Sequence, residues 1–290
     1  ALGTFPDWNP SHYLDVGEMT YGVAIGYDWM YDAWTKEQKN EFIKSIMRSS
    51  IDISYKTYFN QAIKNGGNTG TSWWDSTNNW NAVCNGGVLV AALAFMEEDI
   101  YRCSRLAEGT IRGFEHLLPK FAPAGAWAEG TGYWAYTLKY LTIACSTLEN
   151  CCGTLYGIEK SPGLERSQTY SLDLEGKTGT FGFGDVGGGE HTKASFMYYW
   201  AKVYGNSEIG AAADYAMDKF GFSPDVFDLI YYDANYVSDD YKRPLSTYRE
   251  GTEVVTFTSG DEETDTAIAI VGGMGVATSH DHLDSGSIIV

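Results

Sequence analysis

The sequence predicts a mainly α protein, an (α/α) barrel or toroid that gives way near residues 240–246 to the start of a β domain. Three observations predict it. Apolar residues recur at helical spacing through the first three quarters of the chain. The helical segments alternate between buried and amphipathic, with short polar connections. Beyond residue 244 the pattern changes to β-branched alternation bounded by Gly and Asp.

The elements follow in order. Thr35-x-x-Gln38 reads as a capping box, and Phe42, Ile43, Ile46 and Met47 then mark one apolar face. Trp80 to Met96 is apolar nearly all round, which predicts a deeply buried helix. Ile100, Cys103, Leu106, Ala107, Ile111, Phe114 and Leu118 keep helical spacing until Pro119 ends the segment. Further helices are predicted over about 132–148, 192–204, 207–219 and 224–231. "TEVVTFTSG" and "TAIAIVGG" read as strands, and "GSIIV" as the start of another. The expected domains are therefore 1–242, helical, and 243–290, β and truncated. Both ends of the chain read as cut from something longer.

Two glycine-rich stretches, "NGGNTGTSWWDSTNN" and "GKTGTFGFGDVGGG", are too long for mere connections in a compact helical domain. Their Trp and Phe content favours a functional reading. Aromatic residues make up 15% of the 290, with 21 Tyr and 9 Trp, enough either to line a groove for sugar rings or to fill a ring-rich core. The net charge of −18 argues against nucleic acid and anionic membranes as partners, because both are recognised by basic surface. It suits a protein that works outside the cytoplasm, secreted or periplasmic. Five Cys show no metal spacing; Cys84, Cys103 and Cys145 read as small core residues, and adjacent Cys151 and Cys152 do not suit an ordinary bridge. No apolar run reaches the roughly 18 residues of a membrane span.

Three clusters could carry chemistry. "STNNWNAVCNGG" sets Asn78, Asn79, Asn81 and Asn85 at the mouth of the apolar helix, just after Trp73, Trp74 and Asp75. Amides there are costly to bury without partners, and they can serve as ligand donors or simply as caps. "PAGAWAEGTGYWAYT" brings Trp127, Glu129, Tyr133, Trp134 and Tyr136 to a helix start, where Tyr133 could also be a core ring. "SHDHLDSGS" alternates His280, His282 and Asp284, which in a strand would share one face. Such a face is a metal site or a polar sheet surface.

Taken in order, "NNWNAVCNGG", "GAWAEGTGYWAYT", "FGFGD" and "HDHLDSGS" resemble the heparinase II/III-like polysaccharide lyases, including the oligoalginate lyase relatives. The resemblance runs from "GYDWMYD" to the end of the chain. It implies an incomplete (α/α) toroid followed by an antiparallel β-sandwich, with residues of both meeting at a cleft. It also implies β-elimination on a uronic-acid polysaccharide, alginate or glycosaminoglycan-like. A lyase removes the C5 proton beside the carboxylate and expels the 4-linked oxygen, so donors must hold the charge that grows on the acid group. By resemblance Asn79 supports that carboxylate, with Asn78 beside it. Tyr133 delivers a proton to the leaving oxygen and in some members also takes the C5 proton, its ordinary pKa being about 10. His280 serves as base or as a further carboxylate partner. His282 binds a structural divalent metal, zinc or similar, and no organic cofactor is implied. Trp74, Trp127, Glu129, Trp134 and Tyr136 are expected to contact substrate, Glu129 also orienting the tyrosine loop. Where many relatives carry His after the Asn, this chain has Trp80, which removes one candidate base.

Two other readings stand beside this one. An inverting glycoside hydrolase of the toroid type needs two carboxylates roughly 6.5–9.5 Å apart, for which Asp75, Glu129 and Asp185 are candidates. A non-catalytic carbohydrate-binding protein would use only the aromatic rings. Basic residues are sparse near all three clusters, which favours an unsulfated or lightly sulfated polymer such as alginate.

Overall fold

The structure, a computed structural model, describes residues 5, 7–59, 73–186, 191–193, 196–238, 240–260, 264–273, 280 and 284–290. It is mainly helical, with an antiparallel sheet at its C-terminal end. The chain forms two compact units, Ala1–Leu117 with Ile143–Tyr156, and Leu118–Thr142 with Gly157–Val290.

In the first unit, α1 (Leu14–Trp29) has no apolar stripe, and small residues let it sit directly on α4 (Asn79–Ala94). A Cβ added to Gly87 would fall 2.2 Å from the Gly17 carbonyl oxygen, so the two backbones touch. Between them in sequence comes α2 (Lys36–Ile46), which opens on the expected capping box. Thr35 Oγ1 accepts the Gln38 N–H at 3.2 Å, and Gln38 Oε1 accepts the Thr35 N–H at 2.8 Å. One turn of π geometry (Met47–Ile51) then carries the chain into α3 (Asp52–Phe59). Helix α4 is buried from Asn79 to Ala92 except at Trp80, as its all-round apolarity requires. α5 (Ile100–Leu117) buries Cys103, Leu106 and Phe114 and ends where Pro119 enters a 3-10 turn. Rings fill the core: Tyr13 stacks on Trp73 at 4.3 Å and Tyr27 on Phe95 at 4.4 Å.

The second unit is built around the first half of α6 (Thr131–Cys152), whose residues from Ile143 onward belong to the first unit. Two single turns, α7 (Leu164–Ser167) and α8 (Tyr170–Asp173), precede α9 (Met197–Tyr204), α10 (Ser207–Phe220) and α11 (Val226–Tyr231). Helix α9 starts later than the expected residue 192, because His191 and Thr192 are drawn off to a buried carboxylate described below. The sheet is a meander of β1 (Ser246–Arg249), β2 (Val254–Thr258), β3 (Ala267–Val271) and β4 (Ile288–Ile289), antiparallel throughout. Its burial has period two, with Val254 and Thr256 on β2 and Ala267, Ala269 and Val271 on β3 facing inward.

Strand β1 is anchored by one side chain. Arg249, 3% exposed, donates to Asp173 Oδ2 at 2.6 Å, to the carbonyls of Ala124 and Arg166 at 2.6 Å each, and to Thr169 Oγ1 at 3.0 Å. Burial pushes the Asp173 carboxyl up, and the guanidinium beside it pulls the other way.

Candidate active site

The site in the second unit begins with two glycines that interlock. Gly130 (φ +88°) closes the turn before α6, and Gly184 (φ +72°) lies in the loop "FGFGDV". A Cβ on Gly130 would meet Val186 Cγ2 at 2.5 Å and the Phe183 oxygen at 2.7 Å; a Cβ on Gly184 would meet the Glu129 carbonyl carbon at 3.0 Å. Each position needs both the left-handed backbone and the missing side chain. The loop is thereby seated on the turn that leads to Tyr133.

That loop holds His280 and Asp284. The Asp185 N–H donates to the His280 carbonyl at 3.1 Å, His280 Nδ1 lies 2.8 Å from Asp185 Oδ2, and the Gly184 N–H donates to Asp284 Oδ2 at 2.8 Å. The imidazole is stacked on the Tyr133 ring, centroids 3.7 Å apart and planes 16° from parallel. Tyr133 is half-buried. Burial, then the negative charges of Asp185 and Glu129, push its phenol above the ordinary tyrosine value. It therefore keeps its proton at neutral pH, which suits an acid rather than a base.

A second His–carboxylate pair adjoins the start of α6, and the sequence reading missed it. Fully buried Glu175 accepts from His191 Nδ1 at 2.7 Å and from Thr180 Oγ1 at 3.1 Å. Thr192 Oγ1 in turn donates to Thr131 Oγ1 at 3.1 Å, two residues before Tyr133. His191 also stacks on Phe220 at 4.2 Å. Glu175 carried no motif, and only its burial in the fold marks it.

The other expected site residues lie as follows. Trp134, fully buried, donates its indole N–H to Ser167 Oγ at 2.9 Å, so it is a core ring and offers no face to a ligand. Trp127 is 2% exposed and packs on Phe121 at 4.9 Å. Phe181 and Phe183 of the second glycine-rich loop are buried as well, so its rings are core rather than platform. Glu129 is 1% exposed, and Tyr136 is half-buried edge-on to Tyr140 at 5.4 Å. Neither His280, in a turn, nor Asp284 lies in a strand. His282 lies outside the described residues, as does most of the first glycine-rich loop. Among the described residues no group of three or more His, Cys, Asp and Glu side chains could hold a metal ion.

In the first unit the four amides divide their tasks. Asn78 caps α4, its Oδ1 accepting the Trp80 N–H at 3.2 Å. Asn81 Nδ2 reaches the carbonyls of Ser76 and Gly113 at 2.8 Å each, and that of Trp74 at 3.3 Å. Asn85 Nδ2 donates to the Trp74 carbonyl at 3.1 Å and to Asn81 Oδ1 at 3.0 Å, while its own Oδ1 accepts from Tyr58. Two of the four amides therefore stitch the 74–76 loop to α4 and α5. Asn79 is fully buried in the first turn, and Trp74 is half-buried beside Tyr58 and His116.

The chain, mainly helical and then an antiparallel meander, has a heparinase-like fold. It matches the heparan sulfate lyase HepC from Pedobacter heparinus over 95% of this chain and 38% of that one, with a TM-score of 0.56 and 16% identity. It matches a heparinase III with methylated lysines over 97% and 38%, with a TM-score of 0.58 and 11% identity. The chain thus spans 38% of the length of each. No family model matches the chain, and no curated protein matches it.

Proposed function

We propose that this protein is a polysaccharide lyase that cleaves a uronic-acid polymer by β-elimination. The observation that carries the reading is the stack of Tyr133 on His280, with Asp185 at the imidazole's edge. His280 Nε2 takes the C5 proton, the C4–O4 bond breaks as the C4–C5 double bond forms, and Tyr133 gives its proton to O4. The imidazolium then returns a proton to the tyrosinate, and the pair is reset. A structural divalent ion near His282 belongs to the same reading, testable by metal analysis of the purified protein. The described residues supply no ligand set for it, and no step here passes through it.

The neighbours are named for lyases of heparan sulfate or heparin, which supports an anionic polysaccharide as substrate. Lys193, Arg243 and Arg249 of the second unit are each engaged with internal acceptors. These three cations serve the fold rather than a sulfate group. Two stacked rings act from one side of the sugar, so the C5 proton and O4 must share a face. Glucuronate and mannuronate present them so; their C5 epimers, iduronate and guluronate, do not. The hydrolase alternative fits less well, since Glu129 is buried and the Asp185 carboxylate is held by His280, which leaves exposed Asp75 without a second carboxylate among the three.

The test is a panel of polymers rich in each of these four uronates, followed by near-ultraviolet absorbance of the new double bond. Glucuronate- or mannuronate-rich chains should give the gain. Tyr133→Phe should fold normally and lose about 10²–10⁴ in kcat. New reducing ends without absorbance would instead establish hydrolysis.

A further inference from the structure

We infer that Asp185 is the positioning residue of His280, its carboxylate fixing the imidazole in the tautomer that leaves Nε2 free beside Tyr133. What Nε2 then does rests on the lyase reading above; which nitrogen is free rests on geometry alone. An ionised carboxylate has only acceptor sites, so the 2.8 Å contact requires the proton to sit on His280 Nδ1. An unpartnered neutral imidazole favours its proton on Nε2, and the hydrogen bond made by one nitrogen decides the state of the other. Asp185 reverses that preference.

The ring is over-determined for a side chain still 23% exposed. Asp185 holds its edge, the Tyr133 ring holds its face, and the Asp185 N–H holds its backbone carbonyl. Four residues on, the same loop fastens Asp284 through the Gly184 N–H. The loop is itself seated by Gly184 against the Glu129 carbonyl. Asp185 comes from 95 residues away in sequence, and its side chain, 51% exposed, is not needed to fill a core. A half-exposed carboxylate tied to one imidazole nitrogen is arranged for orientation.

The experiment is nitrogen-15 NMR of histidine-labelled protein at a pH where the imidazoles are neutral, with the His280 signals assigned from a His280→Gln sample. Wild type should show the Nδ1–H tautomer at His280, and Asp185→Ala should move it toward Nε2–H. Asp185→Asn can donate to Nδ1 as well as accept from it, so it no longer enforces Nδ1–H and should also move the tautomer toward Nε2–H. On the polymer that gives the largest absorbance gain, Asp185→Ala should lose on the order of 10²–10⁴ in kcat, as when a catalytic base loses its orienting carboxylate. KM should change little, and Asp185→Asn should lose rate to a similar degree. An Nε2–H tautomer in wild type, or no tautomer change in Asp185→Ala, overturns the inference. If the tautomer moves but no uronate polymer gains absorbance, positioning stands and the lyase reading falls.

Discussion

At the residue scale, two neighbouring amides, both fully buried, call for opposite tests. Asn81 satisfies three backbone carbonyls from inside the first unit, so Asn81→Ala should cost about 1–3 kcal/mol in chemical unfolding, the desolvation cost of groups left unpaired. Asn79 is the position that the resemblance assigns to the substrate carboxylate. Asn79→Ala should therefore lower kcat by about 10²–10³, the loss expected of a charge-stabilising donor. If Asn79→Ala melts early but turns over normally, Asn79 is structural as Asn81 is. The Asn run was legible as unusual, yet sequence could not assign the roles, because these depend on carbonyls brought from the 74–76 loop and from α5. Trp134 shows the same limit. A Trp beside the candidate tyrosine looks like a sugar platform until Ser167, 33 residues on, is found at its indole nitrogen.

At the element scale, legibility followed amphipathic contrast. Helices α2, α4 and α5 and strands β2 and β3 announce themselves by caps, period and breakers. Helix α1 does not, since its interface is made of small residues and backbone rather than an apolar stripe. Strand β1 was missed for a related reason: its inward residue is Arg249, which reads as a surface cation until its partners are seen. The α1–α4 contact predicts a sign reversal between two glycines. Gly87→Ala forces a Cβ to within 2.2 Å of a backbone oxygen and should cost at least about 1–3 kcal/mol, as overpacking does. Gly22→Ala, in α1 with nothing within 4 Å of its new Cβ, should stabilise by about 0.5–1 kcal/mol. Denaturant midpoints of the two variants should lie on opposite sides of wild type.

At the scale of the whole molecule, the sequence showed helices followed by strands, and the fold bears that order out. What it could not show is how a strand and the helices before it share a charge. Removing one partner of the buried Arg249–Asp173 pair strands the other, so Arg249→Leu should cost about 3–5 kcal/mol in urea unfolding. Arg249→Leu with Asp173→Leu should recover much of that loss, since a paired apolar replacement leaves no orphan charge. Non-recovery would mean that the carbonyls of Ala124 and Arg166, rather than the ion pair, dominate the anchor. The anchor also decides how such a protein can be exchanged in pieces. A segment cut after residue 242 would inherit Asp173, Thr169 and two waiting carbonyls without the cation that answers them. In recombination or chimera building, the first strand therefore belongs with the helices that hold its arginine, and a junction where the helical pattern stops would part them.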